Sequence, residues 1–423
     1  MFDELIANIT NIGVFTESFG EFIGSLSINM IIVVIMMIFM FVGAIDKIRG
    51  NKLGYGDSFD DGFNAMGPLA IAMVGVVALA PVLRVILQPI IAPLYQLVGA
   101  SPAMFATTLL ANDMGGYPLA MQLAGSDVVT GNYAGLILGA MMGPTIVFTI
   151  PVALSIIKKE YRPFLASGIL VGLITIPIGC IAGALVMNTT SLKINMGSAI
   201  VNLIPVIIIA ALIAVGLWFK PAAMMSGFLK FGKGITVLIT VGTALAVFQY
   251  LTGIKFPLVN IMVEPDADGV IPLEMGIMIV GSIAIMLIGA FPMVKWITKK
   301  FQKPLMKVGQ AVGMNEQGSA GLVATLANNI PMFNIFSGID PKGRILNVAF
   351  AVSAAFVFGD HLGFTAGANP EMIFPVIVGK LTAGVTALIL ANLMAPQLLK
   401  RIESSNPEAM AVEAPEPEAA AEE

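Results

Sequence analysis

The chain has 423 residues, of which 57% are apolar and only 11% charged, with a mean hydropathy of +0.92 and a formal net charge of −4. No water-soluble core hides that much apolar surface, so soluble enzymes and disordered scaffolds are excluded, and runs that are continuous rather than alternating disfavour a membrane β-barrel. A single cysteine, Cys180, excludes intrachain disulfides, thiolate zinc sites and iron–sulfur clusters.

Residues 1–27 begin with acids (Asp3, Glu4) rather than the basic start of a secretory signal, and Phe2, Leu5, Ile9, Ile12, Phe15, Phe19 and Ile23 recur at helical spacing. This predicts an amphipathic helix lying in the membrane interface. Spanning helices are expected over 28–45, 65–87, 133–157, 164–187, 200–219, 235–251, 272–294, 345–366 and 372–395, each long enough to cross about 30 Å of hydrocarbon. Two further apolar stretches, 101–125 and 318–337, are interrupted by Asn, Asp, Gly and Pro, with Pro118 expected to break the return arm of the first. The last 22 residues, 402–423, hold seven of the 26 acids and no base and read as a disordered acidic tail.

Basic clusters orient the map. Lys47, Arg49 and Lys52, then Lys158, Lys159 and Arg162, then Lys220, Lys230 and Lys233, then Lys295 to Lys307, and finally Lys400 and Arg401 mark cytoplasmic loops, whereas the opposite loops carry Asp127, Glu264, Asp266 and Asp268. All agree if nine helices cross and the two broken stretches enter and leave on one side, with the N-terminus outside and the C-terminus inside. Internal similarity points the same way. Leu110-Ala111-Asn112-Asp113 is matched 216 positions later by Leu326-Ala327-Asn328-Asn329, and the same shift carries Gly143 onto Gly359 and Phe148-Thr149 onto Phe364-Thr365. With five crossings between equivalent helices, the halves are inverted. The expected fold is therefore an all-α polytopic membrane protein of about nine transmembrane helices plus two re-entrant hairpins in an inverted repeat. Residues 28–199 form one repeat with hairpin 101–125, 200–234 a linking helix and cytoplasmic loop, and 235–401 the second repeat with hairpin 318–337.

Irregular backbone survives at membrane depth only inside protein or against a wet cavity, so the two broken tips are the candidate solute site. From them come Thr108, Asn112 and Asp113, and Thr325, Asn328 and Asn329. Asp113 suits an ammonium counter-ion, against the alternatives of a helix cap or a salt bridge to Arg84 or Lys380. Asp360 and His361, the sole histidine, with Lys380, are candidates for coupling or ion relay, against a satisfied core histidine and a lysine that neutralises Asp360 or Asp113. The glycine-rich run 227–234 lacks the closing Ser or Thr of a phosphate loop and reads as a cytoplasmic loop. Metalloprotease and serine-hydrolase motifs are absent, and no catalytic residue, metal, cofactor or nucleic-acid partner is implied.

The runs Ser101 to Gly116, Gly143-Pro-Thr-Ile-Val-Phe-Thr-Ile-Pro, Thr175 to Gly183, Ala324-Thr-Leu-Ala-Asn-Asn-Ile-Pro-Met-Phe and Gly359-Asp-His-Leu-Gly-Phe resemble the EutH family, the ethanolamine permeases of bacterial ethanolamine-utilisation operons. The resemblance covers about 30–396. It implies import of ethanolamine across the bacterial inner membrane, with proton or sodium coupling left open, and supplies no residue-by-residue mechanism. Tyr117, Phe333 or Phe364 would be available to face the cation. By analogy with hairpin-bearing carriers, an elevator-like movement and a homo-oligomer are in view. Competing readings are a carrier for another small amine or cation, a membrane-embedded enzyme acting on lipid head groups, and an ion channel.

Overall fold

The computed structural model describes residues 12–266 and 269–413, and no strand occurs among them. Helix α1 (Ile12–Gly24) leaves every side chain exposed or nearly so, including Ile12, Phe15, Phe19 and Ile23, as an amphipathic helix outside the bundle does. Residues 1–11 of that expected helix lie outside the described residues. The chain continues through α2 (Ile28–Ile48), α3 (Tyr55–Asn64), α4 (Met66–Gln96), α5 (Ala103–Leu109) and α6 (Gly116–Ala124). An interrupted segment, from α7 (Val128–Asn132) to α8 (Ile150–Ile156), precedes α9 (Arg162–Met187), α10 (Met196–Phe219), α11 (Pro221–Thr252) and α12 (Pro272–Ala311). Then come α13 (Glu316–Ala327), α14 (Ile330–Asn334), α15 (Pro341–Ala354), α16 (Asp360–Ala368) and α17 (Ile373–Ser405).

Eight helical stretches among the described residues are long and apolar enough to span a bilayer. Their burial sorts them. The apolar window of Val128–Ile156 is 83% buried and that of Ile28–Ile48 only 17%, so the interrupted segment is central and α2 peripheral. Helices α9, α15 and α17 pack on one another at the centre, and α12 gathers α2, α3, α4, α13 and α16 around it.

Several expectations need correction. The span expected over 345–366 is not continuous: α15 ends at Ala354, and α16 begins at Asp360. The intervening residues are diverted by pairing with the end of α13, where Phe356 N–H donates to Thr325 O (3.2 Å) and Phe358 N–H to Leu326 O (3.0 Å). The span expected over 133–157 starts earlier, at Val128, and passes through π turns at Tyr133–Ile137 and Thr145–Thr149 and a 3-10 turn at Leu138–Ala140. Pro144 is one cause, because it has no N–H to give the carbonyl of Ala140 four residues back. Run 227–234 is the interior of α11 rather than a loop, and residues 200–234 are helical except at Lys220, where α10 ends and α11 begins. Pro118 sits in the first turn of α6, where its missing N–H costs nothing, and so helps to start that arm instead of breaking it.

The stretch read as a disordered tail is packed as far as Glu413. Ile402 and Ala409 are buried, and Asn406 Nδ2 donates to Glu160 O (3.2 Å). Residues 414–423 of that tail lie outside the described residues.

Candidate functional site

Each expected broken stretch is a pair of short helices packed on one another around a break. In the first, α5 ends at Leu109, Leu110 and Ala111 run extended, Asn112–Met114 form a 3-10 turn, and Gly115 turns the chain at a φ of +85° into α6. Only glycine adopts that φ without strain. In the second, α13 gives way to extended Asn328, then to Asn329 and α14.

Both breaks are pressed by a glycine of the interrupted segment in their own half. A Cβ on Gly143 would lie 1.9 Å from Leu110 O, and one on Gly359 would lie 2.2 Å from Ala327 O. Gly143 and Gly359 are the pair related by the 216-residue shift, and Ala327 is the counterpart of Ala111 beside Leu110, so the sequence repeat has a counterpart in packing. The halves also reach across to each other: the Asn112–Met114 turn packs on α16, and α14 packs on α8.

Most of the expected site residues gather here. Asn112 is fully buried, and neither its amide nitrogen nor its oxygen has a partner. Asn329 donates from Nδ2 to Thr149 Oγ1 (3.0 Å) while its own Oδ1 stays unpartnered, and Thr325 Oγ1 is buried without a partner. Asn328 Oδ1 instead accepts from Ile330 N–H (2.8 Å) as a local cap. Thr108 is buried but turned back into its own helix, donating to Met104 O (2.6 Å), and so contributes no free hydroxyl. Unsatisfied buried polar atoms are costly, and here they occur at both helix breaks.

Charges complete the cluster. Asp113 lies within electrostatic range of Asp360 and Lys380. Neither carboxylate belongs to the ion pairs formed among the described residues, all three of which are peripheral. Lys380 therefore does not pair with a carboxylate as expected. Its Nζ, fully buried, donates to the freed carbonyl of Ala140 and lies 2.9 Å from His361 Nδ1. Arg84 is likewise elsewhere, with Nε donating to Gln88 Oε1 (3.0 Å). The rings of Tyr117 and Phe364 meet edge to face at 6.0 Å, bridging α6 and α16, while Phe333 packs on Phe336.

Two cavities approach α16 from opposite ends. One, of about 1040 Å³, is lined by Arg84, Tyr117, Pro118, Glu264 and Asp266, and by Gly367 and Ala368 at the C-terminal end of α16. The other, of about 510 Å³, is lined by Asp61, Lys295 and Lys299, and by Asn328, Gly359 and Asp360 at the N-terminal end of α16. Nine residues of helix span about 13 Å, which is the thickness left between them.

One functional-looking residue escaped sequence reasoning. Arg344, at the start of α15, is fully buried, donates to the carbonyls of Phe336 (3.0 Å), Ser337 (2.6 Å), Ala409 (2.7 Å) and Ala411 (2.7 Å), and stacks on the ring of Tyr161 at 4.0 Å. It ties residues 409–411 to the outgoing end of the second broken stretch. Lys158 reinforces the tie by an ion pair with Glu413 (2.5 Å), and that hydrogen bond holds the Glu413 carboxyl below its ordinary range. The only sequence signal was one arginine leading an apolar run, which reads equally well as a loop charge.

Residues 28–394 match the protein family described as "Ethanolamine utilisation protein, EutH". A protein of Listeria monocytogenes serotype 1/2a (strain 10403S) named "Probable ethanolamine permease EutH" is 56% identical over 376 residues, spanning 89% of this chain and 96% of that one. An Escherichia coli (strain K12) protein of the same name is 49% identical over 394 residues, spanning 88% and 97%. "Uncharacterized protein YxeR" of Bacillus subtilis (strain 168) is 46% identical over 385 residues, spanning 90% and 100%. No solved structure matches.

Proposed function

Because the chain belongs to the EutH family of ethanolamine utilisation proteins, we propose that it imports protonated ethanolamine across the bacterial plasma membrane as a secondary carrier or facilitator. The observation that carries this reading is the pair of cavities ending on opposite ends of α16, the smaller of them lined by Asp360, which joins no ion pair among the described residues. A carrier needs a solute position that either side reaches in turn, and here only about 13 Å of helix separates the two approaches. Asp113 is the counter-ion for the ammonium, Asn112 and Asn329 supply amide groups for the hydroxyl, and Asp360 with His361 receives the cation on the second side.

Sidedness follows from the basic loops. On this reading the smaller cavity, lined by Lys295 and Lys299, faces the cytoplasm and the larger one, lined by Glu264 and Asp266, faces the outside, with α1 in the outer interface and the C-terminus within; the basic loops support this orientation. On this reading the two broken pairs are re-entrant hairpins of an inverted repeat. The equivalent pressing of Gly143 and Gly359 on their breaks supports that relation. A monovalent cation entering a negative interior gains about 2.3 kcal/mol per 100 mV, enough for roughly 50-fold accumulation, so voltage alone suffices as a driving force.

The test is uptake of radiolabelled ethanolamine into proteoliposomes, with voltage, proton and sodium gradients imposed separately. Uptake should saturate, rise with interior-negative voltage, and fall about 100-fold or more in Asp113→Asn. Uptake no faster than in protein-free vesicles would reject the reading, and full uptake by Asp113→Asn would remove the assigned counter-ion.

A further inference from the structure

Three glycines of the interrupted segment order the residues that lie behind the outer cavity. A Cβ on Gly135 would lie 2.5 Å from the Tyr117 ring, one on Gly139 would lie 3.2 Å from Asn112 Cβ, and one on Gly143 would press on Leu110 O. Each step of four residues is about one helical turn, so Asn112 lies about 6 Å beyond Tyr117 along that segment. Tyr117 lines the outer cavity together with Gly367 and Ala368, whereas Asn112 is fully buried and lines neither of the cavities that approach α16. A ring contact stands between them. Tyr117 meets the fully buried Phe364 edge to face at 6.0 Å, and Phe364 lies one turn of α16 before Ala368. The Tyr117 hydroxyl donates to Asn132 Oδ1 at 3.4 Å, a long and therefore weak bond, and Asn369 Nδ2 donates to the same oxygen (3.0 Å). Asn132 is itself fixed, with Nδ2 donating to Val128 O (2.8 Å). One buried amide thus ties α6 to the residue that follows α16.

We propose that Tyr117 is the outer gate of the solute path: its ring closes on Phe364 between the outer cavity and Asn112, and its hydroxyl latches the closed form through Asn132. This deepens the carrier reading and rests on it. A solute position reached from two sides in turn needs a barrier that opens without unfolding the protein. An edge-to-face ring pair is such a barrier, because beyond the area it buries it biases the closed form by no more than about tenfold. A neutral hydrogen bond adds a bias of about fivefold. The device belongs to one side only. The 216-residue shift carries Tyr117 onto Phe333, Asn132 onto Val348 and Phe148 onto Phe364, yet Phe333 packs on Phe336, Phe148 meets Phe356, and neither Phe333 nor Phe148 lines the inner cavity. Phenylalanine and valine also lack the hydroxyl and the amide that the latch needs.

Labelling of Asn112→Cys in the full-length chain, with Cys180 replaced by alanine, tests this without calling on transport. The probe is the membrane-impermeant cation 2-(trimethylammonio)ethyl methanethiosulfonate, applied to right-side-out and to inside-out vesicles. The gate predicts slow labelling from the outside, faster by about tenfold or more with Tyr117→Ala and by about fivefold with Tyr117→Phe, which keeps the ring and removes the latch. Phe364→Ala should match Tyr117→Ala, and the two together should add nothing further, since either one opens the same contact. Labelling from the inside should not change. Tyr117→Leu replaces Tyr117→Ala should that variant fail to elute as a folded species. Outside labelling that is fast with Tyr117 in place, or unchanged once its ring is gone, overturns the proposal. So does an equal rise from both sides, which is what a merely structural tyrosine gives when its removal loosens the bundle. The predicted labelling in a protein that carries no ethanolamine would defeat the choice of solute and uphold the gate.

Discussion

The two broken units share a plan and differ in charge. In both, a helix pair opens around an extended break, a glycine of the neighbouring interrupted segment presses on that break, and the turn packs against the other half. Yet the first unit places Asp113 where the second has Asn329, and the second places Asp360-His361 where the first has Pro144-Thr145. The second unit is clamped by Arg344 and the segment ending at Glu413. Backbone architecture is thus repeated and chemistry is not. On the proposed reading, the shared plan would give two approaches to one place, and the unequal charges would distinguish its two sides.

The clamp is the largest difference and breaks most visibly. Arg344→Met removes four hydrogen bonds to carbonyls and leaves those of Ala409 and Ala411 without their arginine donor, and the expected loss is about 3–5 kcal/mol of stability, read as a lower unfolding midpoint in detergent and rapid proteolysis near Met410. Charge comes next. Asp113→Asn and Asp360→Asn should each lower ethanolamine uptake, the former about 100-fold or more and the latter less, in protein that still inserts. Equal losses would mean that the two carboxylates act as one pair rather than as an outer and an inner group. Gly143→Ala and Gly359→Ala sharpen the shared part of the plan: each forces a methyl group against a carbonyl, costing about 1–3 kcal/mol, and similar falls in unfolding midpoint are expected for both. Tolerance at one and not at the other would show that only one break is held this way.

The smallest effect belongs to the exposed Lys158–Glu413 pair. Glu413→Gln should leave the unfolding midpoint unchanged within error and only speed proteolysis beyond Met410. Because the bond to Lys158 lowers the Glu413 carboxyl, its contribution is complete above the ordinary carboxylate pKa and disappears as the pH falls through the lowered one. Limited proteolysis along a pH series should therefore show the segment loosening only at the acid end.

Much of this was legible in the sequence, and the misses have definite causes. The spans, the two broken stretches and the 216-residue repeat follow from apolar length and from residue types that interrupt helices. The break at 355–359 was invisible because Ala355-Phe356-Val357-Phe358 is as apolar as any helix. Hydrogen bonds to a distant helix end divert it, not a local breaker. The packed segment 402–413 was misread because its composition is that of a solvated tail, whereas its attachment runs through the backbone carbonyls of Ala409 and Ala411, which composition does not register. Lys380 was expected to neutralise a carboxylate, and its direct contacts are instead the carbonyl of Ala140 and His361 Nδ1, with Asp113 at longer electrostatic range. A carboxylate is the usual expectation for a buried lysine, and the carbonyl that it takes is free only because of a proline on another segment. Thr108, chosen for its hydroxyl beside the tip, spends it within its own helix.

The central claim is that two half-paths from opposite sides stop at one short helix, and labelling from each side tests it most directly. With the buried Cys180 replaced by alanine, Tyr117→Cys and Asn328→Cys are exposed in separate variants to a membrane-impermeant maleimide, in right-side-out and in inside-out vesicles. The account predicts that position 117 labels from the outside only and position 328 from the cytoplasmic side only, with added ethanolamine changing both rates. Labelling of both positions from the same side, or of either from both sides without ethanolamine, would contradict it.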